Sequence, residues 1–229
     1  MAWAVEVIRH GDEQQPVVVI DGFADASRFV EDAECLAFRP IGPHYPGVRA
    51  VVSAPMMREP LTLLAPVAAE VFGVQALSVV DSFYSLVTTP AAALAPIQRL
   101  PHFDEVSPQR LALLHFLSRD ETSGTAFYRH RSTGFASIDA ARLPAYRAAL
   151  DADLARHGVP EPSYIGGSTA VFEQLAVHAG SFNRAILYRS NTLHCAHIPP
   201  SMTFSSDPAE GRLTVNTFLD SKTGYGAVT

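Results

Sequence analysis

His102, Phe103 and Asp104 are followed far downstream by His194, His197 and the run Arg212-Leu213-Thr214. On an extended segment, residues two apart point to the same side, so His102 and Asp104 can aim an imidazole and a carboxylate at one point. One further imidazole from elsewhere completes two nitrogens and one oxygen on a single face of a metal ion. That is the facial donor set of non-haem iron sites, and it leaves the other coordination positions open to chemistry. His194 and His197 both qualify as the distant donor, although their odd spacing keeps them off one strand face together. Arg212 offers a planar fork suited to a carboxylate, and Thr214 puts a hydroxyl on the same side. Each of these residues also has a plain structural role open to it. His102 could simply hydrogen-bond Asp104 at the surface, and Arg212 could pair with Asp207 or Glu210 at the rim.

The rest of the chain must supply extended segments to carry these side chains. With 229 residues, 48% of them apolar and 17% charged, the chain can build one substantial core and does not read as disordered. It is expected to be one unit over 1–229, with a supporting strand and helix region over 1–100 and a β-rich core over 101–219. The net charge of −6, without any Lys/Arg-rich run, argues against nucleic acid and anionic membranes as partners. A small molecule or a peptide is the expected substrate. Two cysteines, Cys35 and Cys195, are too few for a disulfide framework and form no zinc-type pair. Together with an N-terminus that lacks the pattern of a signal peptide, this suits a cytoplasmic protein.

Val17–Ile20, closed by Asp21-Gly22, reads as a strand, and 23–38 reads as a helix. A second helix is expected over 59–72, with Pro60 in its first turn and Gly73 at its end. Strands follow at 77–88, 111–117, 125–131, 169–177, 185–188 and 212–219. A helical insertion interrupts them at 137–157, capped by Ser137 or Asp139. In the last strand Arg212, Thr214, Asn216 and Phe218 alternate with Leu213, Val215, Thr217 and Leu219. Many short strands with few helices predict a mainly β fold, an antiparallel sandwich or barrel with helices packed on one outer sheet.

Three segments carry a resemblance. HFDEVSPQRLALLHFLSRDETSGTAFYRHRSTG is similar to the first core strands of the 2-oxoglutarate/Fe(II) dioxygenases of the prolyl-4-hydroxylase-like group. RAILYRSNTLHCAHI resembles the strand that ends in the distal His, and RLTVNTFL the last strand with its Arg-x-Ser/Thr pair. The opening VVVIDGFADASRFVEDAE is also similar to that group. The resemblance implies a double-stranded β-helix, or jelly roll, with N-terminal helices on the major sheet. It implies Fe(II) and 2-oxoglutarate as cofactors, with His102, Asp104 and His194 on the metal and Arg212 with Thr214 on the far carboxylate of the keto acid. It thereby selects His194 over His197.

Asp104 has a further implication, since related halogenases carry a small residue in its place; hydroxylation or desaturation is expected. Tyr84, Tyr128 and Tyr188 stand on strand-like segments from which a phenol could donate to the keto acid. Arg110 could reach its C1 carboxylate or an acidic group of the substrate. The middle insertion and the 18-position gap from His194 to Arg212 depart from the minimal pattern and leave the substrate open. The competing expectation is a cupin-like small-molecule-binding protein, either without turnover or with a different metal.

Overall fold

A computed structural model describes residues 3–221; residues 1–2 and 222–229 of the expected unit lie outside them. Ten strands form two antiparallel sheets. The strands are β1 (Ala4–His10), β2 (Gln15–Asp21), β3 (Gly47–Val51), β4 (Leu77–Val87), β5 (Leu111–Phe116), β6 (Gly124–His130), β7 (Phe172–Ala179), β8 (Arg184–Arg189), β9 (His194–His197) and β10 (Leu213–Ser221). The major sheet has the order β1-β2-β8-β5-β10-β4-β3, and the minor one β7-β6-β9. The architecture is mainly β with three helices, and its core is a double-stranded β-helix. Among the described residues, no helix is long and apolar enough to cross a membrane.

Two helices cover one face of the major sheet. In α1 (Ala26–Glu34) the Asp25 side chain accepts from the Arg28 N–H, closing the N-terminus. Ala26, Phe29 and Ala33 fall three and four apart and are buried. The helix is shorter at both ends than the apolar pattern over 23–38 suggested, because Asp25 caps it late and Phe23 packs with the core. α2 (Ala54–Phe72) starts five residues before its predicted start at 59. Pro55 lies in its first turn, and Pro60 and Pro66 lie inside it. A proline inside a helix removes one ladder hydrogen bond. Burial of Met57, Pro60, Leu64, Ala68 and Phe72 against the sheet offsets that loss. Gly73 ends α2 at φ 68°, as expected. α3 (Leu143–His157) begins six residues after the predicted 137. Asp139 Oδ1 accepts from the Arg142 N–H there, whereas Ser137 sits in a bridge to Thr192.

The side chains of β10 divide the interior in two. Leu213, Val215 and Leu219 join the core under the helices, whereas Arg212, Asn216 and Phe218 face the space between the sheets. Strands β1, β3 and β9 have no counterpart in the sequence reading: β1 is largely exposed, β3 is only five residues long and β9 only four.

His115 lies on the helix side of β5, wedged between Phe23 and Phe29 at ring distances of 5.1 and 5.5 Å. Burial lowers its pKa to about 4 from 6.5. The unfolded chain therefore binds the proton more readily, and stability rises with pH across that window. We expect the metal-free protein to be at full stability above about pH 6.5 and to weaken as pH falls towards about 4, by of order 1 kcal/mol per unit from this residue. His115→Gln should flatten part of the slope in thermal melts at stepped pH. An unchanged slope would remove His115 as its source.

Candidate active site

His102 and His194 are joined through their backbones before their side chains do anything. The His102 N–H donates to the His194 carbonyl at 2.9 Å, and the reverse bond is 2.8 Å. A reciprocal pair of this kind sets two side chains on the same side of an antiparallel bridge, and the ring centroids lie 4.5 Å apart. Asp104 is tied one step further along, its N–H donating to the Ser190 carbonyl at 2.8 Å. The loop before β5 is thus laid against the strand end of β9, and the two-residue spacing returns Asp104 to the face of His102.

One donor atom from each of His102, Asp104 and His194 falls within 4.8 Å of the others. Nε2 of each imidazole stands 3.6 Å from an oxygen of Asp104, too far for a hydrogen bond, so the three converge without consuming one another. His194 Nδ1 lies 2.9 Å from the Thr192 carbonyl, a pure acceptor. That ring nitrogen therefore carries the proton, and the lone pair of Nε2 is turned to the cluster.

Burial lowers both imidazoles to about 4 and raises the Asp104 carboxyl. His102 keeps 52% of its side-chain surface open to the cavity, whereas His194 keeps 8%, so burial acts most fully on His194. Two neutral imidazoles with free lone pairs and one carboxylate make a donor set that fits a divalent first-row metal. His197 is not part of this cluster.

The cavity has a volume of about 400 Å³. Its wall includes His102, Asp104 and His194 together with Arg212, Asn216 and Tyr188. Arg212 is 5% exposed and has no carboxylate partner among the described residues. Its Nε donates to Ser123 Oγ at 3.0 Å and its Nη2 to the Gly124 carbonyl at 2.9 Å, which aims the guanidinium and leaves Nη1 unused. Gly124 has to be glycine for this: a Cβ there would stand 2.1 Å from the His178 carbonyl, prising β6 from β7 where Arg212 is held. Thr214 is fully buried on the same strand face, its hydroxyl donating to Asn216 Oδ1 at 2.9 Å.

Several residues considered for the cosubstrate lie elsewhere. Arg110 makes a two-pronged pair with Asp220, at 2.9 and 2.8 Å, and does not line the cavity. Tyr128 packs with Ala126, Tyr146 and Phe172 on the outer side of the minor sheet, where Gln174 donates to its hydroxyl at 3.2 Å. Tyr84 points into the helix layer and donates to Asp32. Both tyrosines were placed by strand character, which does not say which sheet face looks inward. Burial pushes the Cys195 thiol up to about 12, so it is no nucleophile at neutral pH.

The sequence reading passed over Arg49, Tyr45 and Tyr164, all of which line the cavity. Alternation in GVRAV, with Val48 and Ala50 set against Arg49, was the signal available.

Solved structures share this double-stranded β-helix fold. The non-haem α-ketoglutarate-dependent epimerase SnoN from nogalamycin biosynthesis superposes with a TM-score of 0.51 at 12% identity, covering 90% of this chain and 78% of its own. HygX from Streptomyces hygroscopicus, solved with nickel, 2-oxoglutarate and hygromycin B, gives 0.51 at 13% identity, covering 92% and 85%. No curated protein sequence matches the chain. The chain belongs to DUF6445, a family of unknown function, whose model matches residues 1–219.

Proposed function

We propose that this protein is a 2-oxoglutarate- and Fe(II)-dependent oxygenase that hydroxylates a small molecule, an amino acid or a peptide. One observation carries the reading: a buried guanidinium without a carboxylate partner shares a cavity with three converging metal donors. A buried cation costs several kcal/mol unless an anion meets it, and a keto diacid supplies that anion while its other end is free for a metal.

His102, Asp104 and His194 would hold the iron, with the Thr192 carbonyl fixing the tautomer and aim of His194. Bound together, the metal and the keto acid supply oxygen activation coupled to loss of carbon dioxide. Arg212 receives the far carboxylate, and Thr214, which does not line the cavity and whose hydroxyl donates to Asn216, backs it on the same strand face. The guanidinium is itself 5% exposed, and this burial strengthens the charge pairing. Asp104 supports hydroxylation, because its carboxylate stands where a halogenase leaves room for a halide. The order of motifs likewise supports the prolyl-4-hydroxylase-like group. Arg110 and Tyr128 take no part in this proposal.

The test is 2-oxoglutarate binding to the metal-loaded protein without oxygen, followed by succinate formation on admitting air. Binding that needs the metal, and succinate that needs Fe(II), are expected. Metal-loaded protein that binds no 2-oxoglutarate would sink the reading.

A further inference from the structure

A second guanidinium faces the same cavity, and the chemistry above makes no use of it. Arg49 extends from β3 on the sheet face shared by Ser85 and Thr214, its partners in register across β4 and β10. Its guanidinium lies over the Tyr45 ring at 3.9 Å and near Phe83 at 5.4 Å. These contacts satisfy the flat face of the ion but none of its in-plane donors. No side-chain hydrogen bond or ion pair reaches Arg49 among the described residues, and its Nε–H is buried without an acceptor. A half-buried fork stacked on two rings, with unmet donors, suits an anion.

We propose that Arg49 selects the primary substrate, and that this substrate is a small carboxylic acid with an apolar body. The inference rests on the oxygenase reading. There, both carboxylates of the keto acid are already engaged, one on Arg212 and the other at the metal. Among the charged groups that line the cavity, with both site imidazoles counted as neutral, a divalent metal and the dianionic keto acid leave two guanidiniums and Asp104 with one positive charge in excess; Asp81, which also acts on Arg49, lies outside the wall. One further carboxylate removes that excess. The cavity wall that Arg49 shares also includes Pro43, Pro46, Ile97 and Leu100, so the remainder of the molecule can meet hydrocarbon. The volume of about 400 Å³ must also hold the keto acid, which favours a small acid over a long peptide.

The experiment uses Ni(II)-loaded protein, which cannot turn over, and calorimetric titration. Wild type, Arg49→Gln, Arg49→Lys and Arg212→Gln are first titrated with 2-oxoglutarate. Each 2-oxoglutarate-saturated protein is then titrated with butanoate, hexanoate and octanoate, and with the matching primary amides. Wild type should bind at least one acid about tenfold or more tighter than its amide, a difference of about 1.4 kcal/mol. Arg49→Gln should lose that preference while its 2-oxoglutarate affinity moves less than about threefold, and Arg49→Lys should keep part of the preference by retaining the charge. Thermal melts of both variants check the fold, and the lysine variant carries the test if glutamine destabilises the chain.

Equal binding of acids and amides by wild type would overturn the proposal. So would an Arg49→Gln protein that loses 2-oxoglutarate as severely as Arg212→Gln, since Arg49 would then belong to the cosubstrate. Wild type that takes up no 2-oxoglutarate would instead count against the oxygenase reading.

Discussion

Replacing His102 and Asp104 together by alanine should abolish stoichiometric metal binding and leave the protein folded. The double variant removes two of three donors. A single buried imidazole, His194, cannot hold a divalent ion against water. Loss of even an outer partner of a metal ligand commonly costs 10–100-fold in affinity, so removal of two ligands should exceed about 100-fold. The fold should hardly notice. His102 is half exposed to the cavity, neither side chain makes a hydrogen bond, and the backbone pairing of His102 with His194 survives alanine. Substitutions of that kind fall within about 0.5 kcal/mol, or a degree or two in the midpoint for a chain of this size. Metal content by elemental analysis, with a melt of the metal-free protein beside it, reads both quantities. Retention of one Fe(II) per chain in the double variant would mean that the metal is held elsewhere.

The second large effect falls on the cosubstrate. Arg212→Gln should raise the dissociation constant for 2-oxoglutarate by about 30-fold or more. Truncating one partner of a buried, hydrogen-bonded charge pair costs roughly 2–5 kcal/mol, and each 1.4 kcal/mol is tenfold. Glutamine can still donate towards Ser123 Oγ or the Gly124 carbonyl, so the junction of β6 with β10 should survive. Arg212→Lys keeps the charge but has no fork, and should fall between the two. Metal affinity should stay level in both, which separates this effect from the first. Unchanged 2-oxoglutarate affinity in Arg212→Gln would place the carboxylate partner elsewhere.

The contrast between Arg212 and Arg110 indicates what kind of information the chain carries. Both are arginines next to strands, and both were read as candidates for one cosubstrate. Arg212 directly precedes a strand whose alternation, Leu213, Val215 and Leu219 against Asn216 and Phe218, is written in the sequence and is obeyed in the fold. Arg110 sits in a loop end without periodicity, and its direction was set by Asp220, a partner 110 positions away. Tyr128 makes the same point within a strand. The period-two pattern says that neighbours alternate, but not which side is inside, and in β6 Phe127 turns inward with Tyr188 while Tyr128 turns out. Helix starts differ from the periodic pattern for a related reason: Asp25 caps α1 late and Asp139 holds a turn ahead of α3, whereas α2 extends upstream of Pro60 because its packing outweighs the proline.

By itself, the sequence determined the character of the fold and the chemical kinds at the site. Periodicity gave the β-rich second half. The spacing of His102 and Asp104 gave a shared face, and the order of the motifs pointed to His194 as the third member. Only the tertiary structure decided convergence. The gathering of His102, Asp104 and His194 depends on reciprocal backbone bonds between residues 92 positions apart in the chain, from 102 to 194. The presence of Arg49 in the same cavity depends on β3 being added at the edge of the sheet beside β4. Such pairings are set by the burial of whole faces against one another, a sum over the core that no local run of residues contains.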